Sequence, residues 1–105
     1  MAVDDHPLLR QGIISLIANQ QDMRLVAEAA TGGQAVEQFR TLRPDVTLMD
    51  VQMPDMSGID AIGIIRGECP TARIIVLTTY GGDALARRAL NAGAQAYLLK
   101  NLVRK

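Results

Sequence analysis

The residues best suited to catalytic or binding chemistry are an acidic pair, Asp4 and Asp5, and a third carboxylate at Asp50. Further along, Thr78 and Lys100 add a hydroxyl and an ammonium group. Carboxylates that converge repel one another, and a Mg²⁺ ion, which prefers oxygen ligands, relieves that repulsion. A carboxylate beside such an ion can attack phosphorus, and cations and donors then hold the phosphoryl oxygens. The pattern therefore predicts phosphoryl chemistry at a magnesium site.

These residues can meet only if the chain forms a parallel sheet, and the hydrophobic pattern predicts one. Short apolar runs rich in β-branched residues alternate with segments of helical spacing, which is typical of an α/β fold. We expect strands over residues 1–3, 24–29, 46–49, 73–78 and 96–99. The candidate residues then stand at strand ends, and ligands bind beyond the carboxyl ends of the strands in open α/β sheets.

Four helices are expected between these strands, on both faces of the sheet. The first begins at Pro7, the second stops before Pro44 and the third ends near Gly67. The fourth has Asp83 as its expected N-cap and Gly93 as its C-terminal stop. The first predicted strand is short and no helix follows the last, so we expect a sequence trimmed at both ends.

Composition narrows the class of protein further. The chain has 105 residues, 49% of them hydrophobic, and a formal net charge of zero. This is one domain, and it lacks the basic stripe that gripping nucleic acid requires. A single cysteine, Cys69, cannot form an internal disulfide or a zinc site. No apolar run reaches membrane-spanning length and no signal peptide opens the chain, so we expect a cytoplasmic protein without membrane contacts.

Each candidate taken alone has a simpler interpretation. Acidic residues before a helix are commonly solvated charges that favour the helix dipole. His6 beside Pro7 is typical of a surface residue, Lys100 of a surface lysine, and Tyr97 of an aromatic on an edge strand. Only the coincidence of several such residues at one edge favours a site.

In order and spacing, the motifs resemble those of a response-regulator receiver domain of bacterial two-component signalling. They are AVDDHP near the start, DVQMPDMSG over residues 50–58, LTTY after the fourth predicted strand, and GAQAYLLK ending at Lys100. The resemblance covers essentially the whole chain, and the DDHP string is similar to the NarL/FixJ (LuxR-type) branch. It implies a flavodoxin-like, doubly wound, five-stranded parallel sheet with strand order 2-1-3-4-5. This sequence departs from that pattern in its shortened first strand and its missing fifth helix.

The resemblance also implies a role for each carboxylate. Asp50 would accept a phosphoryl group from a sensor histidine kinase. Asp4, Asp5 and Asp50 would hold Mg²⁺ together with the backbone carbonyl of Gln52. The chain would assist its own phosphorylation and dephosphorylation only, and would otherwise not be an enzyme.

The remaining motif residues would form the switch. Thr78 and Lys100 would stabilise the phosphoryl group, and Thr78 and Tyr97 would carry the change to the fourth helix. Receivers of this branch normally precede a helix-turn-helix output domain that contacts DNA, and none is present in residues 1–105. A homodimer through the surface of the fourth helix and fifth strand is a further expectation. Asn101 replaces the proline that often follows the lysine.

Three alternatives stay open at this point. A haloacid dehalogenase-like Mg²⁺ phosphatase needs a second aspartate two residues after the nucleophile, where this chain has Gln52. A flavodoxin-like nucleotide binder needs a phosphate loop after the first strand, where the acidic pair would repel phosphate. A degenerate receiver that acts only as an interaction module would have lost the motif residues, which are present.

Overall fold

The computed structural model describes residues 1–51, 53–78 and 83–99, and strands and helices alternate along them. The strands are β1 Ala2–Val3, β2 Glu28–Ala29, β3 Thr47–Asp50, β4 Ile74–Thr78 and β5 Ala96–Leu99. The helices are α1 Pro7–Ala18, α2 Gly32–Leu42, α3 Gly58–Glu68 and α4 Asp83–Ala92. No helix among these residues is both long enough and apolar enough to cross a membrane.

The strands form one sheet in the order β2-β1-β3-β4-β5, and every neighbouring pair is parallel. This confirms the predicted α/β class and strand order. β1 lies inside the sheet between β2 and β3 although it has only two residues. The carboxyl ends of all five strands consequently point toward one edge.

The predicted strand over residues 24–29 is wrong in length, because only Glu28–Ala29 forms β2. Its sheet partner is β1, which is two residues long and pairs Ala2 with Glu28 and Val3 with Ala29. Residues 24–26 therefore have no facing strand with which to form a ladder. β3 begins and ends one residue later than predicted, so that Asp50 is its last residue.

Side chains alternate across the sheet and build a core on each face. Met49 and Val76 belong to the larger core beneath α2 and α3, together with Phe39, Ile62 and Ile65. The smaller core on the other face contains Ala2, Leu77 and, from α1, Ile13. Both cores hold β1 and β3 in place, and these are the two strands that carry the carboxylates.

Two helices are each followed by a residue with positive φ, a conformation that commonly ends a helix. Gly93 follows α4 with φ of 121°, which only glycine adopts readily, so the predicted stop is confirmed. Arg43 ends α2 in the left-handed conformation with φ of 46°. Its guanidinium carbon lies 5.7 Å from the centre of the Phe39 ring, a cation–π contact that compensates part of the cost of that backbone.

Candidate metal centre

The ends of β1 and β3 bring three carboxylates together. Val3 of β1 lies beside Met49 of β3, so the residues that follow them, Asp4 and Asp50, reach the sheet edge side by side. One carboxylate oxygen each from Asp4, Asp5 and Asp50 lies within 4.8 Å of the others and of a ring nitrogen of His6. Parallel pairing of two short strands is what creates this cluster.

Asp4 is fixed in position by the chain around it. Its side chain is fully buried, and its Oδ1 atom accepts a hydrogen bond from the backbone N–H of His6 at 2.8 Å. Nη1 of Arg10 donates to the backbone carbonyl of Asp4 at 2.6 Å, while Nε of the same guanidinium bonds Glu28 at 3.2 Å. Arg10 thereby joins the ends of β1 and β2 and holds the carboxylate against the sheet.

His6 lies at the surface, as sequence reasoning expected, and there it contacts two carboxylates of the acidic cluster. Its side chain is 59% exposed, yet Nδ1 lies 3.0 Å from Oδ1 of Asp4 and 3.1 Å from Oδ1 of Asp5. His6 is also the N-cap residue of α1, with Pro7 following at the first helical position. Its place directly after the acidic pair was the signal that could have identified it.

The burial of these carboxylates decides what the cluster can hold. Asp4 and Asp50 are 0% and 2% exposed, and two such charges at this separation repel by about 3–4 kcal/mol at an effective dielectric constant of about 20. Oδ1 of Asp5 is shielded from solvent and accepts no hydrogen bond from the described residues, although Nδ1 of His6 is close. A donor set of carboxylate oxygens fits a hard divalent cation such as Mg²⁺.

The other predicted site residues are only partly described. Thr78 ends β4 and pairs with Leu99 of β5, but its hydroxyl, Gln52 and Lys100 lie outside the described parts of the chain. Tyr97 pairs with Val76, and its ring is partly buried against the larger core. The roles of these residues in phosphoryl binding and switching therefore remain predictions.

The loop from Val51 to Ser57, which joins β3 to α3, is anchored at both of its ends. The backbone N–H of Gly58 donates to the carbonyl of Val51 at 2.7 Å, which closes the loop at its base. Ser57 is the N-cap of α3, and its hydroxyl accepts a hydrogen bond from Ile59 N–H at 3.1 Å. Asp50 thus stands directly before a loop whose two ends are both hydrogen-bonded.

Asp55 ties the middle of this loop to α2. Its two carboxylate oxygens accept hydrogen bonds from the backbone N–H groups of Gly32 and Gly33, each at 2.8 Å. Thr31 caps the next N–H, that of Gln34, so the first turn of α2 is satisfied. These bonds, first from Gly33 and then from Gly32, hold the pKa of Asp55 below its usual value. A Cβ on Gly32 would collide with the side chain of Met56.

Replacing Asp55 with alanine is expected to lower the stability of the chain. The substitution leaves two N–H groups of α2 without their acceptor. Asp55→Asn keeps one acceptor oxygen, so its stability should lie between those of the wild type and Asp55→Ala. A lowered pKa in the folded state means that the carboxylate stabilises above its ordinary pKa and loses this effect on acidification. The difference in urea midpoint between wild type and Asp55→Ala should therefore be largest near neutral pH and shrink in acid.

The matched control for this prediction is Asp22→Ala, which removes an exposed carboxylate from the segment between α1 and β2. We expect it to leave the urea midpoint almost unchanged at either pH. An Asp55→Ala midpoint equal to that of the control would show that the hydrogen bonds to Gly32 and Gly33 contribute nothing.

Comparison with known proteins agrees with this fold. The family model of the response regulator receiver domain matches residues 1–105. The response regulator protein VraR of Staphylococcus aureus is 40% identical over 98 residues, which are 93% of this chain and 47% of that protein. A two-component response regulator of the LuxR family from Aurantimonas sp. is 41% identical with a TM-score of 0.92, covering 95% of this chain and 71% of that one.

A more distant structural relative comes from the CheX–CheY–BeF3–Mg²⁺ complex of Borrelia burgdorferi. It is 26% identical with a TM-score of 0.86, over 93% of this chain and 74% of that one. The chain belongs to the response regulator receiver domains of two-component systems, in their LuxR-type branch, and so to a family of signalling domains. It spans about half the length of the curated relatives that it matches.

Proposed function

We propose that this domain is a phosphorylation-dependent switch in which Asp50 accepts a phosphoryl group from a sensor histidine kinase in the presence of Mg²⁺. The observation that carries the proposal is the convergence of the Asp4, Asp5 and Asp50 carboxylates within 4.8 Å. Family membership supports it, and a structurally similar complex contains both Mg²⁺ and BeF3. Bound at the three carboxylates and the backbone carbonyl of Gln52, Mg²⁺ would neutralise the charge that phosphate brings.

The proposed transfer moves one phosphoryl group between two side chains. A carboxylate oxygen of Asp50 forms the new P–O bond while the P–N bond to the kinase histidine breaks. The electron pair of that bond stays on the departing imidazole, which takes up a proton from water. Burial of Asp50 at 2% exposure keeps competing solvent away from the carboxylate, and the hydrogen bond from Gly58 N–H to the carbonyl of Val51 anchors the residue that follows it.

The response to phosphorylation would involve the other motif residues. Lys100 would pair with the phosphoryl oxygens and the hydroxyl of Thr78 would donate to them. These contacts would shift the balance between an inactive and an active arrangement of the domain. Tyr97 would follow, because its ring packs beside the core that α4 covers. We further propose a cytoplasmic domain that forms homodimers through α4 and β5 and controls a helix-turn-helix output that contacts DNA.

The proposal predicts that a small phosphodonor such as acetyl phosphate, with Mg²⁺, adds one phosphoryl group to the chain. Intact mass spectrometry should show the adduct in the wild type and none in Asp50→Asn, and chelation of Mg²⁺ should suppress it. The control is Asp45→Asn, which changes an exposed carboxylate just before the same strand. We expect the control to be phosphorylated like the wild type.

The same experiment separates the remaining alternatives. A folded wild type that takes up no phosphoryl group would favour a degenerate receiver acting only as an interaction module. Rapid release of phosphate from the donor with no adduct and no dependence on Asp50 would contradict the whole assignment. The receiver family match leaves the haloacid dehalogenase-like alternative without support.

A further inference from the structure

The position of His6 adds a nitrogen donor to a cluster that the family pattern describes in terms of oxygen. Its Nδ1 atom lies 3.0 Å from a carboxylate oxygen of Asp4 and 3.1 Å from one of Asp5. Neighbouring ligands of an octahedral ion with bond lengths of 2.0–2.2 Å stand about 3 Å apart. Without an ion, Nδ1 hydrogen-bonds to Oδ1 of Asp4 at this distance. A cation that displaced the Nδ1 proton would find the nitrogen and the carboxylate oxygens at the spacing of neighbouring ligands.

The chain around His6 supports this placement. The backbone of His6 is held by its N–H bond to Asp4 and by its position as N-cap of α1. Because the ring is 59% exposed, it can adjust by rotation toward an ion without disturbing either core. Asp4 and Asp50, in contrast, are buried and fixed. One adjustable nitrogen thus faces fixed carboxylates.

A nitrogen donor changes which cation the site prefers. Carboxylates, carbonyls and water suit Mg²⁺, whereas imidazole suits later first-row metals such as Co²⁺, Ni²⁺ and Zn²⁺. Mg²⁺ gains little from an imidazole because it retains its water shell strongly. A site of three carboxylates and one imidazole should therefore discriminate in favour of the transition metals, and His6 should be the source of that discrimination.

We propose that His6 is a metal ligand and that, with Asp4, Asp5 and Asp50, it forms a mixed nitrogen and oxygen site for a divalent first-row transition cation. This inference rests on the same cluster as the proposed function but does not require phosphorylation. Mg²⁺ would occupy the carboxylates alone, while a transition cation would bind the carboxylates and the imidazole together.

The test uses Co²⁺ as the probe and the untagged 105-residue chain. The sequence contains a single histidine, so any imidazole proton signal moved far outside the normal range by Co²⁺ in the proton NMR spectrum belongs to His6. We expect such a signal in the wild type and its absence in His6→Asn. Asparagine can still hydrogen-bond to the carboxylates but is a poor ligand for Co²⁺.

Calorimetry on the same two proteins supplies the second measurement. We expect His6→Asn to weaken Co²⁺ binding by about 10–100-fold while Mg²⁺ binding changes by less than about threefold. An equal loss for both cations would mean that His6 only positions the carboxylates, and would overturn the proposal. So would a wild-type spectrum with no shifted imidazole signal. Phosphorylation of Asp50 with Mg²⁺ would stand in either case, which keeps the two failures distinguishable.

Discussion

Substitution of Gly58 by alanine is expected to destabilise this domain severely and to displace Asp50, the proposed phosphoacceptor. A Cβ at this position would overlap the backbone carbonyl oxygen of Asp50, and would lie 2.9 Å from the carbonyl carbon of that residue and 3.0 Å from Cα of Val51. Backbone atoms cannot rotate away as a side chain can, so the start of α3 would have to move from β3. Overpacking of this kind costs about 1–3 kcal/mol and occasionally more.

The same substitution should reduce phosphorylation by more than the loss of folded protein explains. Gly58 N–H closes the β3–α3 loop through Val51, and separating them changes the direction of the Asp50 side chain. The urea midpoint measures the first effect. The rate of adduct formation, corrected for the folded fraction, measures the second.

Gly63→Ala is the matched control, since both glycines belong to α3 and a Cβ on Gly63 meets nothing within 4 Å. Alanine at an exposed position in the middle of a helix, as at Gly63, should stabilise by up to about 1 kcal/mol through its higher helix propensity. Opposite signs for the two substitutions are therefore expected. If Gly58→Ala were as stable as Gly63→Ala, the steric argument would be wrong.

Most of this fold could be predicted from the sequence because its elements are distinct in period and composition. The helix ends at Pro7 and Gly93 follow from backbone chemistry that is local to those residues. β2 was predicted too long because its apolar residues were taken as evidence for pairing. The length of its partner β1, which a local pattern does not contain, decides how many of those residues form a ladder.

The candidate site, like the fold, could be predicted from the sequence only in part. The meeting of Asp4 with Asp50 follows from parallel strands that end together, so the order of elements was sufficient to anticipate it. The contact of Asp55 with Gly32 joins residues 23 positions apart and depends on how a loop packs on a helix end. The direction of the His6 ring depends on a single backbone turn at the end of β1. Neither geometry has a periodic signal in the sequence.

Substitution of Asp5 by asparagine is expected to change stability with opposite signs in the absence and presence of Mg²⁺. Without metal, the variant should be as stable as the wild type or up to about 1 kcal/mol more stable, because one of three mutually repelling charges is removed and partial exposure screens the effect. With Mg²⁺ at about 100 times its dissociation constant, the wild type should gain about 2.7 kcal/mol. The variant should gain far less, since it has lost a ligand.

Urea unfolding in chelator and in excess Mg²⁺ measures the stability change caused by Asp5→Asn in each condition. Asp22→Asn is the control for removing an exposed charge. The control should follow the wild type in each buffer. A full Mg²⁺ response in Asp5→Asn would place the ion elsewhere on the domain.

The two signs matter because they separate a metal ligand from a structural residue. If Asp5 served only to support the end of β1, its loss would destabilise the domain in both buffers, and the difference between variant and wild type would not depend on Mg²⁺. If Asp5 is a ligand, its charge destabilises the fold until the ion binds and stabilises the fold afterwards. The structure favours the second outcome for two reasons. One carboxylate oxygen of Asp5 lies within 4.8 Å of one from Asp4 and one from Asp50, and Oδ1 of Asp5 accepts no hydrogen bond from the described residues. A carboxylate held so close to two others gains its full stabilisation only when a cation joins it.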